Sequence, residues 1–122
     1  MKLNHLNLVV PDVAATTAFF EKHFNFRCTG IKGDHAIAVL HGADNFILVL
    51  SKPRKSETQC SYPQDFHIGF MLDTEQQVQE VFRKLQEDNL AQEAPKKIRN
   101  TISFYFIAPG GFMMEVGCPV NA

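Results

Sequence analysis

The chain has 122 residues, a formal net charge of −1, 45% hydrophobic and 20% charged residues. That composition suits one ordinary globular domain with a real core, and the near-neutral charge argues against nucleic-acid or membrane partners. No apolar run approaches the ~18 residues that a bilayer crossing needs, and Met1-Lys2-Leu3-Asn4-His5 lacks a signal-peptide pattern. The three cysteines, Cys28, Cys60 and Cys118, are widely spaced with no CxxC pair. Reduced thiols and a cytoplasmic location are therefore expected.

Residues 4–10 alternate: Leu6, Leu8 and Val10 point one way, and His5, Asn7 and Val9 the other. The first set suits a helix, the second the wall of a cavity. Pro11-Asp12 stops this strand, and Asp12 is a good N-cap for a helix over 13–24. Val13, Phe20 and Phe24 mark its apolar face, and Asn25 can end it. Residues 26–31 and 35–41 predict two strands joined through Lys32-Gly33-Asp34, and 45–51 a fourth after Gly42-Ala43-Asp44.

Residues 54–65 are polar and contain Pro63, which predicts a linker. Phe66 to Leu72 predicts a strand. Thr74 and Gln77 form a capping box, and Val78, Val81, Phe82 and Leu85 then follow helical spacing. Asn89 is a plausible C-terminal cap. A weak strand is expected near Gln92 to Ala94, then a basic loop from Pro95 to Asn100 carrying Lys96, Lys97 and Arg99. Ile102 to Ile107 is rich in β-branched and aromatic residues and predicts a strand. Gly110-Gly111 opens the closing strand, Phe112-Met113-Met114-Glu115-Val116.

The two halves echo each other. His5-Leu6-Asn7-Leu8-Val9-Val10 matches His67-Ile68-Gly69-Phe70-Met71-Leu72, and an Asp follows in both. Asp44 to Pro53 overlays Gly110 to Pro119 without a gap, placing Phe on Phe, Pro on Pro and Val49 on Glu115. The expected fold is α+β: two βαβββ modules, 1–53 and 66–119, joined by linker 54–65 into one domain spanning 1–122 and forming a half-barrel cavity. His5, Asn7, Val49, His67, Ser103, Tyr105, Met113 and Glu115 fall on the strand faces that miss the helices.

A lone strand histidine is ordinarily a core residue. His5, His67 and Glu115 together are another matter, because all three occupy repeat-equivalent first- or last-strand positions. An ionised carboxylate in an apolar strand also needs a partner. Two imidazoles and one carboxylate form a ligand set for one divalent transition metal, Mn, Ni, Zn, Fe or Co, with positions left open for substrate. Tyr105, Ser103 and Asn7 are candidate substrate-orienting groups, and Arg99, with Lys96 and Lys97, a candidate attractor for an anionic substrate. His23 is expected at the surface, and His35 and His41 have no partner that the sequence places. No phosphate-binding Gly loop, Ser-His-Asp set or nucleotide fingerprint is present.

Residues 3–12, Ala18-Phe19-Phe20, Phe66-His67-Ile68-Gly69-Phe70 and the run from Ser103 to Glu115 resemble the vicinal oxygen chelate superfamily. That superfamily includes glyoxalase I, bleomycin-resistance proteins, fosfomycin-resistance thiol transferases and extradiol dioxygenases. The resemblance implies paired βαβββ modules, a metal held by His5, His67 and Glu115, and a homodimer. It further implies a small-molecule substrate, with a thiol cosubstrate in the transferase branch, and Glu115 as the base; Tyr105, as a hydrogen-bond donor to substrate, is the other candidate catalytic residue. Val49 stands where glyoxalase I carries a fourth ligand, and Ala108 where an Asp-Pro-x-Gly turn has its Asp. The expected activity is metal-dependent chemistry on a small oxygen-bearing electrophile, by glyoxalase-like isomerisation or thiol addition. Extradiol ring cleavage uses the same ligands but asks for a further acid–base histidine. A rival of a different class is a metal-free module of the bleomycin-resistance type that sequesters a small ligand.

Overall fold

The computed structural model describes residues 1–54 and 60–120. The chain divides into two units, Met1–Ser61 and Tyr62–Ala122. The expected linker, 54–65, falls partly outside the described residues.

In the first unit β1 (His5–Val9) leads through α1 (Val13–His23) to β2 (Arg27–Lys32), β3 (Ile37–His41) and β4 (Ile47–Ser51). The sheet order is β1-β4-β3-β2. β1 runs parallel to β4, and the other pairs are antiparallel. A parallel pair needs a crossover, and α1 with the β2–β3 hairpin supplies it. Asp12 caps α1, its Oδ1 accepting from the Ala15 N–H at 2.9 Å. Asn25 ends the helical region in a left-handed conformation, φ 57°. The turn after β2 is longer than expected. Gly33, Asp34 and His35 all have positive φ, so β3 begins at Ile37 rather than at position 35.

The core of this unit is the helix-facing side of the sheet, where Leu8, Leu40, Leu48 and Leu50 are buried with Phe20 and Val13. Phe20 meets Phe26 edge-on at 5.4 Å. His23 is half-buried against the Phe19 ring, 5.7 Å between centroids, instead of fully solvated.

The second unit repeats the order: β5 (His67–Met71), α2 (Glu75–Glu87), β6 (Lys96–Ile98), β7 (Thr101–Ile107) and β8 (Met113–Pro119), with sheet order β5-β8-β7-β6. The capping box forms as expected. Gln77 N donates to Thr74 Oγ1 at 3.2 Å, and Gln77 Oε1 accepts from the Thr74 N–H at 3.0 Å. Val78, Phe82 and Leu85 are buried, and Phe82 packs edge-on against Phe104 at 5.3 Å. The β7–β8 turn closes through its backbone without an Asp: Gly111 N donates to Ala108 O at 3.0 Å.

A further expectation is corrected here. The short strand lies at Lys96–Ile98 and not at 92–94, so the supposed basic loop is an edge strand followed by the Arg99-Asn100 turn. Adjacent lysines look like loop, but an edge strand tolerates them because they face solvent and discourage further pairing.

Candidate functional site

Strand register sets the geometry. In the second sheet His67 lies opposite Met113, and Gly69 opposite Glu115. Tyr105 lies opposite the other side of Glu115. In the first sheet His5 pairs with Ile47, Asn7 with Val49, and Val39 with Val49. The repeat proposed from sequence is therefore the observed one: Val49 holds the place of Glu115, and Val39 that of Tyr105. One module carries a carboxylate and a phenol where the other carries two valines.

Why the carboxylate sits where it does follows from alternation. Met114, Val116 and Cys118 are buried in the core, so Glu115 turns to the opposite face, where 17% of its side chain is exposed. His67 alternates with Ile68 and turns the same way, with 38% of its side chain exposed. Its Nε2 lies 3.5 Å from Glu115 Oε1. Its Nδ1 lies 2.9 Å from the Asp65 carbonyl oxygen. A carbonyl can only accept, so Nδ1 carries the proton and Nε2 presents its lone pair in the neutral ring. Asp65 reaches this position in a left-handed conformation, φ 69°.

Two acceptors facing each other need a proton or a cation between them. Donors ~2.1 Å from one ion, at octahedral to tetrahedral angles, lie roughly 3.0–3.4 Å apart. The His67–Glu115 spacing fits a shared ion after a slight contraction. Carbonyl fixing of the other ring nitrogen is the usual support for a metal-binding imidazole. Among the described residues no group of three or more His, Cys, Asp or Glu side chains is gathered to hold a metal. The second unit supplies a pair.

Tyr105 completes the cluster. Its ring stands edge-on to His67, with centroids 5.6 Å apart. Burial, the hydrogen bond that its hydroxyl donates to Glu115, and the charge of Glu115 all raise its pKa above the ordinary 10.0. The phenol thus remains a donor throughout the neutral range. Ser103 lies on the same face of β7 and is fully buried, and its Oγ has no hydrogen-bond partner among the described residues. A buried hydroxyl without a partner is costly. Gly69 leaves Glu115 uncovered on the β5 side.

His5 repeats the His67 pattern on its own sheet. Its Nδ1 lies 2.7 Å from Asn4 Oδ1, an acceptor that likewise places the proton on Nδ1 and leaves the Nε2 lone pair available in the neutral ring. Asn7 donates from Nδ2 to Ser51 Oγ at 2.9 Å, bridging β1 and β4. Arg99 is exposed in the β6–β7 turn with φ 56°, beyond the end of β7 that pairs with Pro119. Asn4 and Asp65 are supporting residues that sequence reasoning missed. One acts through an adjacent amide and the other through a backbone carbonyl, and neither leaves a motif.

No helix among the described residues is long and apolar enough to cross a membrane. Residues 2–116 match the family model of the glyoxalase/bleomycin resistance protein/dioxygenase superfamily. A possible glyoxalase from Bacillus cereus is 42% identical, with a TM-score of 0.84, over 97% of this chain and 99% of that one. A lactoylglutathione lyase from Agrobacterium tumefaciens shares the fold at 20% identity and TM-score 0.74, over 96% of this chain and 92% of that one. So does a fosfomycin resistance protein from Listeria monocytogenes, at 18% identity and TM-score 0.75, over 98% of this chain and 94% of that one. No curated protein matches the chain. With the family model covering nearly the whole sequence and two βαβββ units beneath it, the chain belongs to the glyoxalase/bleomycin resistance protein/dioxygenase superfamily.

Proposed function

We propose that the protein is a metal-dependent enzyme acting on a small oxygen-bearing electrophile, by glyoxalase-like isomerisation or by thiol addition. The observation that carries this reading is the His67–Glu115 pair at 3.5 Å, with the far imidazole nitrogen fixed by a carbonyl. His67 and Glu115, joined by His5, hold one divalent ion, Mn, Ni, Zn, Fe or Co. When bound, that ion supplies Lewis-acid polarisation of a substrate oxygen.

The remaining roles belong to the chain's own residues. Tyr105 keeps its proton and donates it in a hydrogen bond, first to Glu115 and then to a substrate oxygen. In an isomerisation Glu115 is the proton acceptor on this face, since Val49 in the other module cannot serve. The Ser103 hydroxyl, buried and without a partner among the described residues, becomes a second donor once substrate entry uncovers it, and Asn7 offers its amide oxygen. Arg99 contributes long-range attraction for an anion. The protein acts as a cytoplasmic homodimer on a small molecule, with a thiol cosubstrate if the reaction is addition.

Metal analysis of protein purified without chelators tests this reading, with Glu115→Ala as control. About one ion per chain in the wild type, lost in the variant, supports it. Methylglyoxal–thiol adducts then test isomerisation, and epoxide or phosphonate electrophiles test thiol addition. No uptake after reconstitution with Mn(II), Ni(II), Zn(II), Co(II) and Fe(II) overturns it.

A second reading, a metal-free sequestering module, is favoured by one observation. The same face of the second sheet exposes Met71, Tyr105 and Ile107 at 58%, 38% and 58%, which is apolar area suited to a hydrophobic ligand.

A further inference from the structure

The chemistry above leaves unused a cleft of about 420 Å³ at one end of the first sheet. Its walls come from the turn that ends α1, with Asn25, from the start of β2, with Arg27, and from the end of β3 and its following turn, with His41, Gly42 and Asn45. Phe26 and Leu40 are buried in the core, so Arg27 and His41 alternate to the opposite face. They are register partners across the antiparallel β2–β3 pair.

Three features give the cleft a chemical character. Neither Arg27 nor His41 has a side-chain ion pair or hydrogen bond among the described residues. No carboxylate among the described residues lines the cleft, and Asn25 and Asn45 add amide donors. A Cβ at Gly42 would lie 2.6 Å from the Phe26 ring, so no side chain at that position can fill the space. A forked guanidinium beside an imidazole and two amides matches a carboxylate or phosphate oxyanion.

The cleft also has a place relative to the proposed chemistry. Its His41 pairs with Ile47, and Ile47 with His5. The three share one row and one face of the sheet, which puts His41 roughly 10 Å from His5 at two strand spacings. The repeat does not dictate this. In the second sheet the place of His41 is taken by Ile107, which pairs with Met113 beside His67.

We infer that the Arg27–His41 cleft binds an oxyanion, a carboxylate or phosphate on the arm of the substrate remote from its reacting oxygens. The substrate assignment rests on the proposed role of His5, whereas the binding itself does not.

The test is a titration of the full chain, free of metal, with sodium phosphate and separately with sodium acetate, followed through backbone amide resonances. Sodium chloride holds the ionic strength constant and controls for screening. Saturable shifts confined to residues 25–28 and 41–45 are expected with at least one of the two anions, and the tighter of the two identifies the group. Arg27→Gln, an exposed position, weakens binding about tenfold or more. Arg27→Lys falls between them, because it keeps the charge and loses the fork. Thr74→Ala, in the α2 cap of the second unit, leaves the anion affinity unchanged. No saturable shift with either anion, or equal affinity in Arg27→Gln, overturns the inference. Metal uptake is measured separately, so a failed metal site and a failed anion cleft give different results.

Discussion

The Nε2 of His67 and the Oε1 of Glu115 lie 3.5 Å apart while the Asp65 carbonyl holds Nδ1 at 2.9 Å. The imidazole is thus oriented by the backbone, independently of the group it faces. If the pair is a metal half-site, losing either side chain is severe, and a change that only tilts the ring is milder. His67→Ala and Glu115→Ala should each lower affinity for a divalent ion by more than the 10–100-fold typical of lost supporting contacts. Competition against a chromophoric chelator measures this, with circular dichroism to show that the fold is kept. Affinity within a few-fold of wild type in both variants refutes the half-site.

Tyr105 should titrate above 10.0, because burial, the hydrogen bond to Glu115 and the carboxylate charge all oppose its ionisation. The only other tyrosine is Tyr62, so a Tyr62→Phe background isolates the signal in an ultraviolet titration. Glu115→Gln removes the charge and should move the midpoint down toward the ordinary value. For the linkage sign, the unfolded phenol ionises at its normal pKa and the folded one later. The contribution of Tyr105 to stability is therefore complete below pH 10.0 and is lost as pH rises through the higher folded value. A midpoint that ignores Glu115 would contradict the contact.

Gly69 and Gly117 share the site-bearing face but should respond oppositely to alanine. A Cβ at Gly117 would lie 2.8 Å from Ser103 Cβ and 2.9 Å from the Ile102 carbonyl oxygen. Gly117→Ala should cost about 1–3 kcal/mol by overpacking. At Gly69 the nearest atom would be Glu115 Oε1 at 3.8 Å, an ordinary contact. Gly69→Ala should be neutral or stabilise by up to about 1 kcal/mol through the unfolded chain. Denaturant midpoints compare the two, and an equal cost at both positions argues against the Ser103–Gly117 packing.

Thr74→Ala removes the Thr74 Oγ1 acceptor for Gln77 N. The expected loss is about 1 kcal/mol in unfolding free energy. Metal affinity should not change, since α2 packs on the opposite face of β7 and β8 from Glu115. A stability change near zero shows that the cap is redundant with the Gln77 side chain.

Much of the architecture was legible because its causes are local. Alternation in His5–Val9 and Thr101–Ile107, the caps at Asp12 and Thr74, and helical spacing at Val78, Phe82 and Leu85 are all short-range patterns. The internal echo then assigned equivalent faces, and the observed registers agree with it. Lys96–Ile98 escaped because an edge strand draws its pairing from its neighbour, Ser103 to Thr101, and little from its own composition. The positive φ of His35 escaped for a related reason: the turn length was set by the Ile37–Ser51 register.

Sequence alone determined which side chains share a face, because a period of two is a property of the strand itself. It therefore placed His5 and Asn7 on one face of the first sheet, and His67, Glu115, Tyr105 and Ser103 on one face of the second. Tertiary structure decided what those groups meet. Strand pairing set Tyr105 beside Glu115, the left-handed Asp65 turned a carbonyl onto His67, and the β2–β3 register placed Arg27 opposite His41. These are distance-dependent relations between residues far apart in the chain or acting through backbone atoms, and no local pattern of residue types encodes them.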